Sequence, residues 1–334
     1  MNGSMQISLF FRRPRPGNFS IERVYQDISE NLPQQMRVKK FENRYFSNGF
    51  IPRFLDAWAA RRHQSDVNHV TGDVHFLTFF LDPKRTVLTI HDCRNLENKT
   101  GLRWFLLWLL WYRIPIWRSR FVVSISNEAQ RVLLRNVSCP DRKLRIINNP
   151  VSEEFYFVNK EFNHKLPRIL VVGTGENKNI ARYANALRGI NCELSLIGRL
   201  SESQNESLAE NGIRYFSRAN LLREELVSEY RAADLLLFAS TYEGFGMPII
   251  EAQAVGLPVI TSNISAMPEV AGSGACLVSP FDVESIRTGV IKVIFDSVYR
   301  RQIVVAGLEN VQRFRLRTIA GSYASLYSEV YSEL

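Results

Sequence analysis

The chain has 334 residues, 46% apolar and 22% charged, which excludes a disordered or fibrous protein and suggests two domains. The formal net charge of +9 is uneven: residues 1–150 hold 24 Lys+Arg against 12 Asp+Glu, and residues 151–334 hold 18 against 21. A basic surface facing nucleic acid, an anionic membrane or a phosphorylated substrate therefore belongs to the first half. Cys93, Cys139, Cys192 and Cys276 have no short spacing, which argues against a disulfide scaffold or a cysteine zinc site and fits a reducing cytosol.

The apolar stretch Ile7 to Phe11 is too short for a signal peptide, and Arg12, Arg13 and Arg15 follow it. The longest apolar run, Trp104 to Tyr112, has nine residues, against the roughly 20 that a membrane span needs. In chain order, MQISLFF (5–11) reads as a strand and 20–32 as a helix with Ser20 at its cap. DVNHVTG (66–72), TVLTIHD (86–92) and FVVSIS (121–126) read as strands. Asn127 opens a helix, and 143–151 reads as the last strand of this half. Strands separated by helices signal a parallel sheet, because parallel strands need crossovers.

Residues 152–167 are polar and aromatic and mark the boundary, with domains expected over 1–158, 159–312 and a terminal helical segment over 313–334. The second half repeats the alternation. A strand and then a turn are expected over 168–175, strands at 192–198, 234–240 and 257–262, and helices at 179–189, 221–233 and 248–256. The last helix runs roughly 317–332. Two βαβ-rich halves predict an α/β architecture of two Rossmann-like domains.

The stretch from Ser240 to Gly272 carries the chemistry. A buried strand ends at Ser240, and Glu243-Gly244-Phe245-Gly246-Met247 leads into a helix near Pro248. Glycines admit a ligand close to the backbone, and a helix start suits a phosphate. Glu251 is expected in the first turn of that helix, where a carboxylate can take ribose hydroxyls. Glu243 and Glu251 can border one ligand site at the carboxyl edge of the sheet.

Glu243, seven residues, then Glu251, with Gly-Phe-Gly between, resembles the signature of retaining glycosyltransferases of family four, which have the GT-B fold. LVVGTGENKN (170–179) looks like the family's donor-phosphate loop, TIHD (89–92) like its cleft loop, and KLRIINNPV like its linker strand. The resemblance implies two domains facing across a cleft, with the last helix crossing back to the first domain. The first domain would bind acceptor and the second nucleotide sugar.

Residue by residue, Glu251 would hold the ribose, and Glu243 with the backbone of Gly244, Phe245 and Gly246 the donor sugar. Met247 and Thr174 would border the same ligand, Lys178 would neutralise the leaving diphosphate, and His91 would approach the sugar. Gly17, in the loop after the first strand, would touch donor and acceptor. The family commonly has an arginine a few residues before the lysine of the phosphate loop; 173–178 has none, and a glutamate, Glu176, instead. Another cation would serve, such as one from the basic first domain, or mainly Lys178 with helix N–H groups.

No Asp-x-Asp is present, and Asp282-Val283-Glu284 reads as a helix cap, so the expected reaction needs no metal and no cofactor. Trp104, Trp108 and Trp111 recur at helical spacing among arginines, which reads either as a membrane-surface face or as core. Asn98 and Asn136 head glycosylation sequons that a cytosolic chain does not use. No nucleic-acid module is recognised.

The expected activity is retaining, metal-independent glycosyl transfer from a GDP- or UDP-sugar to a lipid-linked or envelope saccharide, in the cytoplasm and peripheral to the inner face of an anionic cell membrane. The alternatives are a nucleotide-sugar epimerase, which would turn over donor without acceptor, and a catalytically silent partner subunit, which would release no sugar.

Overall fold

The computed structural model describes residues 4–14, 20–97 and 99–333. The chain divides into two compact units, 1–150 with 316–334, and 151–315. Residues 151–158, grouped by sequence with the first half, belong to the second unit. There the backbone N–H of Val151 donates to Phe314 O at 2.8 Å, and the Phe155 ring stands edge-on to Tyr230.

Among the described residues the first unit holds six strands: β1 (Met5–Phe11), β2 (Met36–Glu42), β3 (Val67–Val70), β4 (Thr86–Ile90), β5 (Phe121–Ser124) and β6 (Leu144–Ile146). Their order is β2-β1-β3-β4-β5-β6 and every pairing is parallel. The inner strands are buried on both faces, as a sheet covered by helices on each side requires; β1, β4 and β5 are largely apolar, while β3 carries the buried Asn68 and His69.

The final helix, Leu316–Ser332, packs into this unit through hydroxyls rather than apolar contact alone. Tyr323 OH lies 3.0 Å from Tyr25 OH, and Tyr327 OH 2.7 Å from Nδ1 of His69. Tyr25 and His69 both reach Oγ1 of Thr89 at 2.8 Å. Full burial pushes the His69 pKa down to about 3, so the imidazole in this network is neutral.

The second unit holds β7 (Arg168–Val172), β8 (Glu193–Ile197), β9 (Arg214–Arg218), β10 (Leu235–Phe238), β11 (Val259–Ser262) and β12 (Cys276–Val278). They form one parallel sheet in the order β12-β11-β10-β7-β8-β9. Counted within the unit, this is the dinucleotide-binding order 3-2-1-4-5-6, with its reversal between β7 and β10. Two all-parallel six-stranded sheets, one in each unit, make the fold GT-B.

The sequence reading lacked β2, β9, β12 and the helix Phe50–Ala60. β2 (MRVKKFE) and β9 (RYFSR) are edge strands, and charged edges resist pairing with other chains while hiding the apolar run that marks a strand. The tryptophan face resolves as core. Trp104, Trp108 and Trp111 are half-buried against the first unit's apolar cluster, while Leu102, Phe105 and Leu106 on the same segment are exposed. The segment is apolar all round, so spacing did not say which side faces inward.

Candidate functional site

Ligands of open α/β sheets bind beyond the carboxyl ends of the strands where strand order reverses. In the second unit that point lies after β7 and β10, and there Lys178 and Glu243 meet. Nζ of Lys178 lies 2.6 Å from Oε1 of Glu243, and Asn177 donates to the same oxygen at 3.1 Å. Asn177 also donates to the Tyr242 carbonyl at 3.0 Å, while its own carbonyl accepts from Thr241 N–H at 2.8 Å. Ser265 holds the Glu243 backbone from the far side, its hydroxyl donating to Glu243 O at 2.7 Å. The two loops are thus laced into one structure.

Local conformation explains this placement. Gly173 has φ +88°, and a Cβ there would stand 2.8 Å from Cε of Lys178. The glycine makes room for the chain's own lysine. Asn179, at φ +65°, turns the loop into the helix Ile180–Leu187, a left-handed conformation that asparagine tolerates. Its buried amide donates to Ala239 O at 3.1 Å and Pro280 O at 2.6 Å, tying the loop to the end of β10. Lys178 Nζ also stands 4.3 Å from the centre of the Phe238 ring.

The glycine-rich turn enters the helix Met247–Val255, with Gly246 at φ +103° and Gly256 closing it at φ +86°. Glu251 is the fifth residue of this helix, so its carboxylate stands in the second turn and not the first, because the helix begins one residue before Pro248. Oε2 of Glu251 accepts a 2.5 Å hydrogen bond from the Tyr230 hydroxyl. Burial, and then the adjacent carboxylate, holds the Tyr230 phenol well above its usual range, so it remains a donor. Spacing gave no sign of Tyr230, which comes from a separate helix, Arg223–Ala232.

Phe245 offers only its backbone, since its ring is buried edge-on to Phe314 at 5.6 Å. Gly244 and Met247 are half-buried beside it. Thr174 spends its hydroxyl on Arg199 O at 2.7 Å. Gly198, at φ +144°, is packed so closely against Thr174 that a Cβ there would stand 2.7 Å from Oγ1. Arg199, whose backbone carbonyl takes that hydroxyl, is exposed on the loop after β8. Asp282 caps the helix Val283–Phe295, Oδ1 accepting from Glu284 N–H at 2.9 Å.

In the first unit, His91 follows β4, and its Nε2 is 2.8 Å from Thr71 O at the end of β3. A carbonyl only accepts, so Nε2 is the donor in this contact. Arg12, after β1, is braced by Glu22 and Asp73 at 2.8 Å each, so its charge is neutralised locally. Gly17 and Arg15 lie outside the described residues.

Residues 152–309 match the family described as Glycosyl transferases group 1, and residues 9–155 match Glycosyltransferase Family 4. O-antigen chain mannosyltransferase B of Escherichia coli is 36% identical over 291 residues, which is 77% of this chain and 73% of that protein. The chain belongs to glycosyltransferase family 4. The family 4 chain is also 26% identical over 279 residues to the serotype-specific mannosyltransferase WbdA of Escherichia coli. That match spans 73% of this chain but 33% of WbdA.

Among solved structures, sucrose-phosphate synthase of Thermosynechococcus elongatus superposes with a TM-score of 0.82 at 18% identity, covering 99% of this chain and 100% of that one. The Anabaena protein HepE, solved with UDP and glucose, gives 0.78 at 16%, covering 97% and 100%. At these identities both speak for the fold alone.

Proposed function

We propose that this family 4 glycosyltransferase moves a mannosyl group, with retention and without a metal ion, from a nucleoside diphosphate mannose to a lipid-linked or envelope saccharide. Its place is the cytoplasm, at the inner face of the cell membrane. Guanosine is the favoured base over uridine. The observation that carries the reading is the pairing of Lys178 with Glu243 at the strand-order reversal, with Glu251 anchored by Tyr230 on the adjoining helix. The mannosyl group is supported by similarity to two proteins named mannosyltransferases.

In this reading Glu251 holds the ribose hydroxyls and Tyr230 keeps its carboxylate oriented. Glu243 and the backbone of residues 244–246 hold the sugar, and Thr174 lines the phosphate loop. Lys178 and Arg199 face the diphosphate, whose negative charge grows as the bond from C1 to phosphate oxygen breaks. The acceptor hydroxyl oxygen bonds to C1 on the same face, and its proton passes to the departing phosphate oxygen. In this reading His91 acts at the sugar.

The test is a thermal-shift panel of UDP-, GDP-, dTDP- and CMP-sugars, followed by nucleotide release with and without a saccharide acceptor. GDP-mannose is expected to give the largest shift, with release dependent on acceptor. No shift with any nucleotide sugar defeats the reading.

A further inference from the structure

The helix Phe50–Ala60 in the first unit is built inside out. Its inward positions are Asp56, Ala57 and Ala60, all essentially inaccessible. The Asp56 carboxylate accepts the backbone N–H groups of Arg44 at 3.0 Å and Tyr45 at 3.3 Å, pinning the preceding loop under the helix. Its outward positions are Phe50 (76% exposed), Ile51 (70%), Phe54 (45%), Leu55 (44%) and Trp58 (44%). Scattered exposed apolar residues need no explanation, but a contiguous stripe does.

The three rings stand one turn apart and stack, with centroid distances of 6.3 Å from Phe50 to Phe54 and 6.4 Å from Phe54 to Trp58. Small residues within and large ones without is the reverse of a helix that covers a core. In water this arrangement wastes apolar area; it gains only if the outer face leaves water.

The surrounding charge says what covers it. Between residues 43 and 65 the sequence has four arginines, and its one acid is the buried, hydrogen-bonded Asp56. The Arg53 guanidinium lies 4.9 Å from the centre of the Trp111 ring, joining this helix to the segment that exposes Leu106 and Leu110. That segment, residues 98–127, carries five Lys+Arg and no Asp or Glu. Aromatic and aliphatic side chains ringed by arginine match the interface of an anionic bilayer, where rings sit at the headgroup level and guanidinium groups reach phosphates. A second copy of the same face would instead bring arginine against arginine.

We infer that the outer face of the Phe50–Ala60 helix, with the neighbouring apolar segment, seats the first unit on an anionic lipid surface. The inference gives a surface to the membrane placement above and rests on that reading only for the whereabouts of the acceptor. Its test uses no nucleotide sugar, so the two can fail separately.

The full chain is sedimented with phosphatidylcholine vesicles and with vesicles containing about 30% phosphatidylglycerol. Wild type is expected to pellet with the anionic vesicles, and to be released by high salt. Phe50→Ser with Phe54→Ser should cut the bound fraction about tenfold. Phe50 is 76% exposed, and Phe54 meets the unit's interior through an edge-on contact with Phe80 at 5.5 Å, so that variant should stay folded and unfold only slightly below the wild-type temperature. Arg61→Glu with Arg62→Glu, which leaves the rings in place, should lose binding to anionic vesicles in the same assay. Equal pelleting of wild type and the serine variant overturns the inference. So does a lipid-free dimer that the serine variant dissociates while neither protein binds vesicles.

Discussion

Nζ of Lys178 lies 2.6 Å from Oε1 of Glu243, and both side chains are more than four-fifths buried. The cation proposed to meet the diphosphate is thus held in place by the carboxylate proposed to meet the sugar. Such a pair presents the lysine at a fixed point without the cost of ordering a long flexible chain when donor arrives. Lys178→Ala should lower kcat by about 100-fold, since it removes charge stabilisation at the leaving group. A nucleotide-release assay under donor saturation reads this directly, and a change confined to KM counts against the role.

Gly173→Ala tests the space beneath that lysine. The new methyl group meets Cε at 2.8 Å, and φ of +88° is strained for any side chain. A stability loss of about 1–2 kcal/mol is expected from the backbone alone. Thermal unfolding should show it, with kcat falling further as Lys178 is displaced. Wild-type unfolding and turnover would rule this account out.

Glu251 and Tyr230 separate binding from positioning. Glu251→Ala should weaken donor binding by about 1–3 kcal/mol in calorimetry. Tyr230→Phe keeps the carboxylate and loses its 2.5 Å donor, so donor KM should rise about 2–10-fold while kcat holds. An unchanged KM would reduce Tyr230 to packing.

His91→Ala should lower turnover far more than donor affinity, the pattern of an interaction made in the transition state. Comparable activity of the variant would leave His91 as the brace on Thr71 that its 2.8 Å contact already makes it.

Acid should destabilise the first unit through two buried imidazoles. Burial lowers His69 to about 3 and His75 to about 4, against 6.5 for an unburied ring. Below pH 6.5 the unfolded chain takes up protons that the folded chain refuses, so stability is full above that pH. It falls as pH drops towards 4 and then 3. Urea midpoints measured from pH 7 to pH 4 should decline, and His69→Gln should flatten the slope. A slope unaffected by removing His69 would place the proton uptake elsewhere.

Much of the site was legible because its residues are close in sequence. Glu243, the glycines and Glu251 lie within nine positions, and the loop of Lys178 directly follows a buried strand. The second cation proposed at the diphosphate was different. Arg199 is 21 residues beyond Lys178, and its backbone meets the phosphate loop only because β8 lies beside β7 and the Thr174 hydroxyl reaches across. Tyr230 likewise approaches Glu251 from another helix, with no spacing to announce it.

Composition and periodicity alone determined two parallel α/β sheets, the glycine-rich turn into a helix, and a basic first half. These are local properties: an apolar run long enough for a strand, a glycine where φ must be positive, a tally of charges. Tertiary structure decided which face of an apolar segment is inside. It turned the tryptophans at 104, 108 and 111 inward and the rings at 50, 54 and 58 outward. Burial depends on what the rest of the chain brings alongside, and a helix apolar on every side does not encode that in its own residues.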